Sequence, residues 1–248
     1  MVARLLKADG SRPHTAMAAV PAVSHVFPRQ LVLPVFRITL YDVLWWSMNT
    51  IELDGFSIIN EFIPESQVNE ILSALETRNV LDFGDAKASG FNLLRTIPAV
   101  EQLASSARLL SIVRAGLGDS AFPINALLLD KSLSQNWGLD WHQDLKIAVT
   151  NKIDVPDYGN WTEEYAINHC IPPLEILEKL LSVRIHLDPC TIQNGALLVI
   201  PKSHKNGILS NLGVKEIVQR EAICCEIDRG GIMCMKPLLL HKSPYSIS

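Results

Sequence analysis

The sequence predicts a mainly β fold with flanking helices, a jelly roll, and three observations carry that expectation. Beyond Gly118 the chain breaks into short apolar, β-branched runs separated by Gly, Pro, Asn and Asp, the punctuation of a sandwich or barrel. Helix-like periods come first and strand-like runs follow, without the regular alternation that a doubly wound parallel sheet requires. With 248 residues, 48% of them apolar and 19% charged, the chain is long enough to bury one substantial core and too apolar to stay disordered.

Residues 1–47 stand apart. They hold Arg4, Lys7, Arg12, Arg29 and Arg37 against Asp9 and Asp42, a balance of +3, whereas the remainder holds 17 basic against 24 acidic residues, or −7. No helical or strand period persists there. Residues 1–47 are expected to be a disordered or mistranslated extension ahead of a start at Met48, with an organelle transit peptide as the other reading. Residues 48–248 are expected to form the jelly-roll domain.

Ile51 to Ile63 reads as a short strand and a turn. Pro64-Glu65-Ser66 opens a helix, with Pro and an acid in the first turn, and Val68, Ile71, Leu72 and Leu75 form its core-facing stripe at i, i+3, i+4 and i+7. A second helix runs from Pro98 to Gly116-Leu117-Gly118, with Leu103, Ala107, Leu110 and Leu117 on one side and glycine as its stop. The candidate strands are 122–130, 141–150, 180–188, 196–200, 222–227 and 232–241. Residues 151–173, with Asp154, Asp157, Tyr158, Trp161 and Tyr165, lack a clear period and read as a lid or substrate loop, or as a surface insertion.

Several function classes are disfavoured. A formal net charge of −4 exerts no general pull on nucleic acid or anionic lipid, so a small molecule is the expected partner and neither nucleic acid nor membrane is. The most apolar run, 31–48, is interrupted by Arg37 and Asp42, and a membrane span needs about 18 apolar residues in succession. Five cysteines without a C-x-x-C pair signal neither a zinc ribbon nor a disulfide framework. Reduced thiols fit a cytoplasmic location. Oligomeric state has no signature in the sequence.

Strand 181–188 alternates strictly: Leu181, Val183, Ile185 and Leu187 on one face, Ser182, Arg184, His186 and Asp188 on the other. The polar face is either solvent-facing or the lining of a cavity in which Arg184 and His186 receive an anionic ligand. His186 serves equally as a hydrogen-bonding residue within the sheet. In Trp141-His142-Gln143-Asp144 an imidazole and a carboxylate are two residues apart, so an extended backbone points both to one side, where they can share an ion. With seven His and 26 acidic residues, such a pair arises about once by chance, and a third ligand is required. His241 ends the apolar run 232–240. Two His and one carboxylate make the facial triad of non-haem Fe(II) oxygenases, with coordination positions left open; the same set also suits zinc.

From about Gly55 to His241 the sequence resembles the phytanoyl-CoA dioxygenase family of Fe(II)/2-oxoglutarate oxygenases. The matching stretches are Leu128-Leu129-Asp130-Lys131, Asn136-Trp137, Trp141-His142-Gln143-Asp144, Arg184-Ile185-His186-Leu187-Asp188, Asn194-Gly195 through Pro201-Lys202-Ser203-His204, and Gly230-Gly231 leading to Pro237-Leu238-Leu239-Leu240-His241. The resemblance implies a cupin-like double-stranded β-helix with His142, Asp144 and His241 as Fe(II) ligands, and 2-oxoglutarate and O2 as co-substrates. It implies hydroxylation of an unknown small organic substrate, since Asp144 retains the carboxylate that related halogenating enzymes lack. Arg184, Lys131 and Trp141 are expected to line the co-substrate site, with Gln143 and His186 toward the substrate. His204 reads as structural, in the turn after a strand.

Members of the family usually carry, beyond the distal histidine, a further strand and an arginine that pairs with the outer carboxylate of 2-oxoglutarate. In this sequence no arginine follows Arg229. The expectation is therefore a jelly roll lacking its last strand, either a shortened translation of a working gene or an impaired chain. The alternatives are a catalytically inactive metal- or ligand-binding jelly roll and a zinc-holding cupin-like domain.

Overall fold

The computed structural model describes residues 49–77, 92–131, 136–164 and 167–247, all of them in the larger of two units, Ile38–Ser248. The expected N-terminal extension, 1–47, lies outside the described residues. Strands β1 (Phe56–Ile59), β6 (Ser182–Ile185) and β9 (Ile232–Met235) form one antiparallel sheet in the order β1-β9-β6. A second runs β2-β10-β7-β8, from β2 (Leu139–His142), β7 (Leu197–Val199), β8 (Ile223–Cys225) and β10 (His241–Ser243). A third is β3-β5-β4, from β3 (Ile147–Val149), β4 (Gly159–Glu164) and β5 (Ile167–Ile171).

The first two sheets pack face to face, as a jelly roll requires. Phe56, Met233 and Met235 from one meet Leu197, Val199 and Cys225 from the other in a single buried cluster with Ile227 and Leu239. The opposite face of the first sheet, with Ile232, Cys234, Val183 and Ile185, packs on helices α1 (Glu65–Thr77), α3 (Pro98–Ala104) and α4 (Ala107–Leu117). The outer face of the second sheet meets α6 (Asn211–Ile217): Ile200, Leu240 and Ile217 enclose a smaller cluster with Trp141, Leu209 and Val214. The short helices α2 (Leu93–Thr96) and α5 (Leu174–Leu177) complete the elements used here.

The α1 stripe is as its period predicts, with Val68, Ile71 and Leu75 buried. The long helix expected from Pro98 is instead two. Ser106 has extended backbone angles, and its hydroxyl accepts from the Leu109 N–H at 3.3 Å, so α4 starts afresh with its own cap. The break resets the helical phase, and Leu109 and Ile112 are buried in place of Leu110 and Leu117. Residues 49–54 are helical ahead of Gly55, so only the second half of the expected 51–63 strand is strand. The run 122–130 is extended chain with a bridge only at Leu128, and Ala126 and Leu128 lie against the helical core. Residues 151–173 are not a loop throughout: β4 and β5 pair there, with Thr162 opposite His169.

The expected strand 232–241 is two strands in two sheets. Pro237 cannot donate to a ladder, and the chain turns between Lys236 and Leu239, whose N–H bonds the Lys236 carbonyl at 3.0 Å. Residues 236–240 thereby cross from the first sheet to the second, and His241 begins β10 rather than ending β9. Ahead of β7, Thr191 and Asn194 cap each other reciprocally and Gly195 takes a φ of +87°, a left-handed angle costly for any residue with a Cβ. A Cβ there would meet the Lys131 ammonium and the Pro244 carbonyl, both at 2.7 Å. Among the described residues no helix is long and apolar enough to cross a membrane. All five cysteines are free thiols.

Candidate metal centre

His142 ends β2, His241 begins β10, and the two are direct partners across the antiparallel pair. Direct partners share a face, and His241 also pairs with Val199, a residue of the inter-sheet cluster, so both imidazoles point between the sheets. The ladder shifts register just after this pair, a bulge of the kind that re-aims side chains beside active sites. The ring centroids are 4.2 Å apart. Asp144 follows two residues after His142, with Oδ1 3.9 Å from His142 Nε2 and Oδ2 3.8 Å from His241 Nε2. One ligand atom from each of the three lies within 4.8 Å of the others.

The protonation pattern follows from the partners. His142 Nδ1 is 2.6 Å from the Asp140 carbonyl and His241 Nδ1 is 2.9 Å from the Leu239 carbonyl. A carbonyl only accepts, so each Nδ1 carries a proton and each Nε2 is the ring nitrogen turned to the centre, the arrangement that second-sphere carbonyls impose on ligating histidines. His241 Nε2 is buried without a hydrogen-bond partner. Leaving such an acceptor unpaired costs about 1–3 kcal/mol, and a metal ion at this point would satisfy it. Burial pushes the His241 pKa down to about 4, although Asp144 opposes this, so the ring is neutral and ready to ligate. Exposure is graded: 1% for the His241 side chain, 31% for His142 and 42% for Asp144. The centre thus has a dry floor and one open side. Two imidazoles and a carboxylate fit Fe(II) or zinc.

Arg184 is directly opposite Met233, and Met233 is wholly buried between the sheets. The polar face therefore lines the interior at Arg184 and His186 rather than facing solvent, because α1, α3 and α4 cover the apolar face, whereas Asp188, past the end of β6, is exposed. Burial lowers the Arg184 pKa and the Asp144 carboxylate opposes that, which sets the guanidinium within electrostatic reach of the triad. Among the described residues it has no hydrogen bond or ion pair. Arg229, the last arginine of the chain, is committed elsewhere: it binds Glu65 at 3.0 Å, the Leu187 carbonyl at 2.9 Å and Asn69 at 2.7 Å.

Lys131 lies close to Arg184, and its pKa is lowered first by burial and further by that guanidinium. Its ammonium donates to Ser243 Oγ at 2.8 Å, to the Gly195 carbonyl at 3.4 Å and to the Pro244 carbonyl, and it stands 4.6 Å above the Trp137 ring. Ser243, 6% exposed and two residues beyond His241 on the same strand, is a polar group of the interior that was not among the residues expected at the site. The period of two running on from His241 would have found it.

That same period separates Trp141 and Gln143 from the triad, since they alternate with His142 and Asp144. Trp141, expected at the co-substrate, packs instead in the outer cluster beneath α6. Gln143, expected toward substrate, spends its carboxamide on backbone: Nε2 donates to Gly207 and Leu238 carbonyls at 2.9 and 2.7 Å, and Oε1 accepts from the Leu209 N–H at 2.8 Å. His204 lies in the turn Ser203–Asn206, its Nε2 3.3 Å from the Glu52 carbonyl.

His186 follows β6, held by backbone bonds with Gly231 and Gly230 at 3.0 and 2.8 Å. Its Nε2 is buried without a partner, and its pKa is pushed from 6.5 to about 4, by burial first and then by Arg184. The unfolded chain takes up a proton at His186 near pH 6.5 and the folded one only near 4, so stability is lost as pH falls through that window. Urea midpoints of the metal-free protein are expected to fall on acidification from 6.5 to about 4, and to fall less in His186→Phe. An equally steep acid limb in the variant would remove His186 as a cause.

The phytanoyl-CoA dioxygenase family profile matches residues 51–248 of the chain. Among solved structures, the fold is similar to EctD from S. alaskensis in its apoform, with a TM-score of 0.61 and 20% identity over 81% of this chain and 71% of that one. The same protein with 2-oxoglutarate and 5-hydroxyectoine gives a TM-score of 0.61 at 18% identity, over 81% and 70% of the two chains. The epimerase SnoN in complex with Fe3+, alpha ketoglutarate and nogalamycin RO gives 0.57 at 12% identity, over 83% and 78%. Identities this low speak for the shared fold. No curated protein sequence matches the chain.

Proposed function

Because the chain belongs to the phytanoyl-CoA dioxygenase family, we propose that it is an Fe(II)- and 2-oxoglutarate-dependent dioxygenase that hydroxylates a small organic substrate. In this reading His142, Asp144 and His241 hold the iron. The observation that carries it is the convergence of three ligand atoms within 4.8 Å with both Nδ1 protons parked on carbonyls and a buried, unpartnered Nε2 at the centre. Similar folds crystallised with 2-oxoglutarate and with Fe3+ support the choice of metal and co-substrate.

When bound, the iron supplies oxygen activation coupled to oxidative decarboxylation of 2-oxoglutarate. The chain's residues do the rest. Arg184, a cation lining the jelly-roll interior and without a hydrogen bond or ion pair among the described residues, draws the co-substrate's carboxylate, and its planar fork can hold two oxygens. Lys131, fixed by Ser243 and two carbonyls, adds positive potential beside it. Phe56, Met233, Met235 and Leu239 keep the inter-sheet space dry, which strengthens each charge interaction within it. Asp144, the most exposed of the triad, leaves the approach to the metal from the solvent side, where substrate would enter.

Anaerobic Fe(II) with 2-oxoglutarate should give a weak visible charge-transfer band, and admission of O2 should then yield succinate. A zinc-holding or inactive jelly roll gives neither signal, and the absence of both would overturn the proposal.

A further inference from the structure

We infer that Gln143, the residue between the ligands His142 at the end of β2 and Asp144 just beyond it, is a positioning residue that sets the distance from His142 and Asp144 to His241. The inference rests on the metal reading above and adds to it a named strut. The two halves of the triad come from different routes: His142 and Asp144 from β2 and its extension, His241 from the end of the crossover 236–240. Between Met235 in the first sheet and His241 in the second, the crossover has no ladder partner on β2.

Gln143 and its neighbour supply the missing tie. The Gln143 carboxamide donates to the Leu238 carbonyl, the middle of the crossover, at 2.7 Å, and the Asp144 N–H donates to the adjacent Pro237 carbonyl at 2.9 Å. The second Nε2 hydrogen goes to the Gly207 carbonyl at 2.9 Å, and Oε1 receives the Leu209 N–H at 2.8 Å. The 207–209 loop is thereby fastened to the same point. One carboxamide thus fills both donors and its acceptor with backbone from two segments, on the side of the strand away from the metal. From Leu238 the constraint passes two bonds on: the Leu239 carbonyl holds His241 Nδ1 at 2.9 Å, and the Leu240 N–H is fixed by Ser203 Oγ at 2.8 Å. Residues with shorter or charged side chains cannot repeat this. Glutamate keeps the acceptor but sets a carboxylate against two carbonyl oxygens, and methionine fills the space without any bond.

Co(II) titration of the metal-free protein tests this, with the d–d absorption reporting both affinity and ligand geometry. Gln143→Met and Gln143→Glu are expected to weaken Co(II) binding by about 10- to 100-fold, the range for losing an outer-sphere support, and to alter the d–d spectrum. Arg229→Gln, which removes a clamp on Glu65, Asn69 and the Leu187 carbonyl and touches none of the Gln143 partners, is expected to lower the melting temperature and leave Co(II) affinity unchanged. Wild-type affinity and spectrum in both Gln143 variants would overturn the inference, as would equal weakening by Arg229→Gln. Hydrogen exchange on the metal-free proteins gives a second readout, with faster exchange expected at 207–209 and 237–241 in the Gln143 variants. Should wild-type protein bind no Co(II), the metal reading falls, and the strut is decided by exchange alone: unchanged rates at those segments overturn it.

Discussion

His241→Ala is expected to abolish metal binding and, with it, succinate formation, a loss beyond the roughly 10- to 100-fold that accompanies removal of an outer-sphere partner. The reason lies in the graded exposure of the triad. His241 is the buried member, with 1% of its side chain exposed, so no water can take its place from the dry side. His142 and Asp144, left as a pair, have the weak affinity of any two surface ligands. The same substitution also removes a buried unpartnered acceptor, so the variant is expected to remain folded, which circular dichroism will check. An Fe(II) or Co(II) affinity within tenfold of wild type would show that the ion sits elsewhere or not at all.

Arg184→Met is expected to act in opposite directions on stability and on ligand binding. Among the described residues the guanidinium has no hydrogen bond or ion pair, a liability to the metal-free fold because burial penalises its charge, and an apolar side chain of similar length removes that penalty. The thermal midpoint of the metal-free protein should therefore rise. Binding of 2-oxoglutarate should weaken by about 30- to 4,000-fold, since truncating one partner of a buried, hydrogen-bonded charge pair costs about 2–5 kcal/mol. Arg184→Lys should recover part of that, keeping the charge and losing the two-pronged geometry. Titrating the anaerobic charge-transfer band against co-substrate measures the effect. A variant with unaltered 2-oxoglutarate affinity would move the carboxylate partner to another residue.

The sequence made the triad legible for a physical reason. His142 and Asp144 are two apart on extended chain, and His241 ends an apolar run. The β-rich, helix-first architecture was equally legible, as was the stripe of α1. What stayed hidden depended on the backbone changing direction. Pro237 marks a break within 232–241, but nothing local shows that the chain leaves one sheet there and enters another at His241. The Ser105–Ser106 break reset a helical phase that looked continuous from Pro98. Pairing of β4 with β5 gave order to a stretch whose own period was poor. Trp141 and Gln143 were a different matter. The alternation that puts His142 and Asp144 on one side puts these two on the other, so nearness to the ligands in sequence does not bring them to the metal. For Arg184 the alternation assigns a face, but which face is covered depends on helices far upstream in the sequence.

The direct opposition of His142 and His241 across β2 and β10 has a bearing on how the chain reaches its native form. β10 is three residues long, and a slip of one position would turn His241 outward and bring Lys242 in its place. Only the native alignment offers an ion two imidazoles on one side, so a bound ion would weight the register equilibrium of this short strand toward the native pairing.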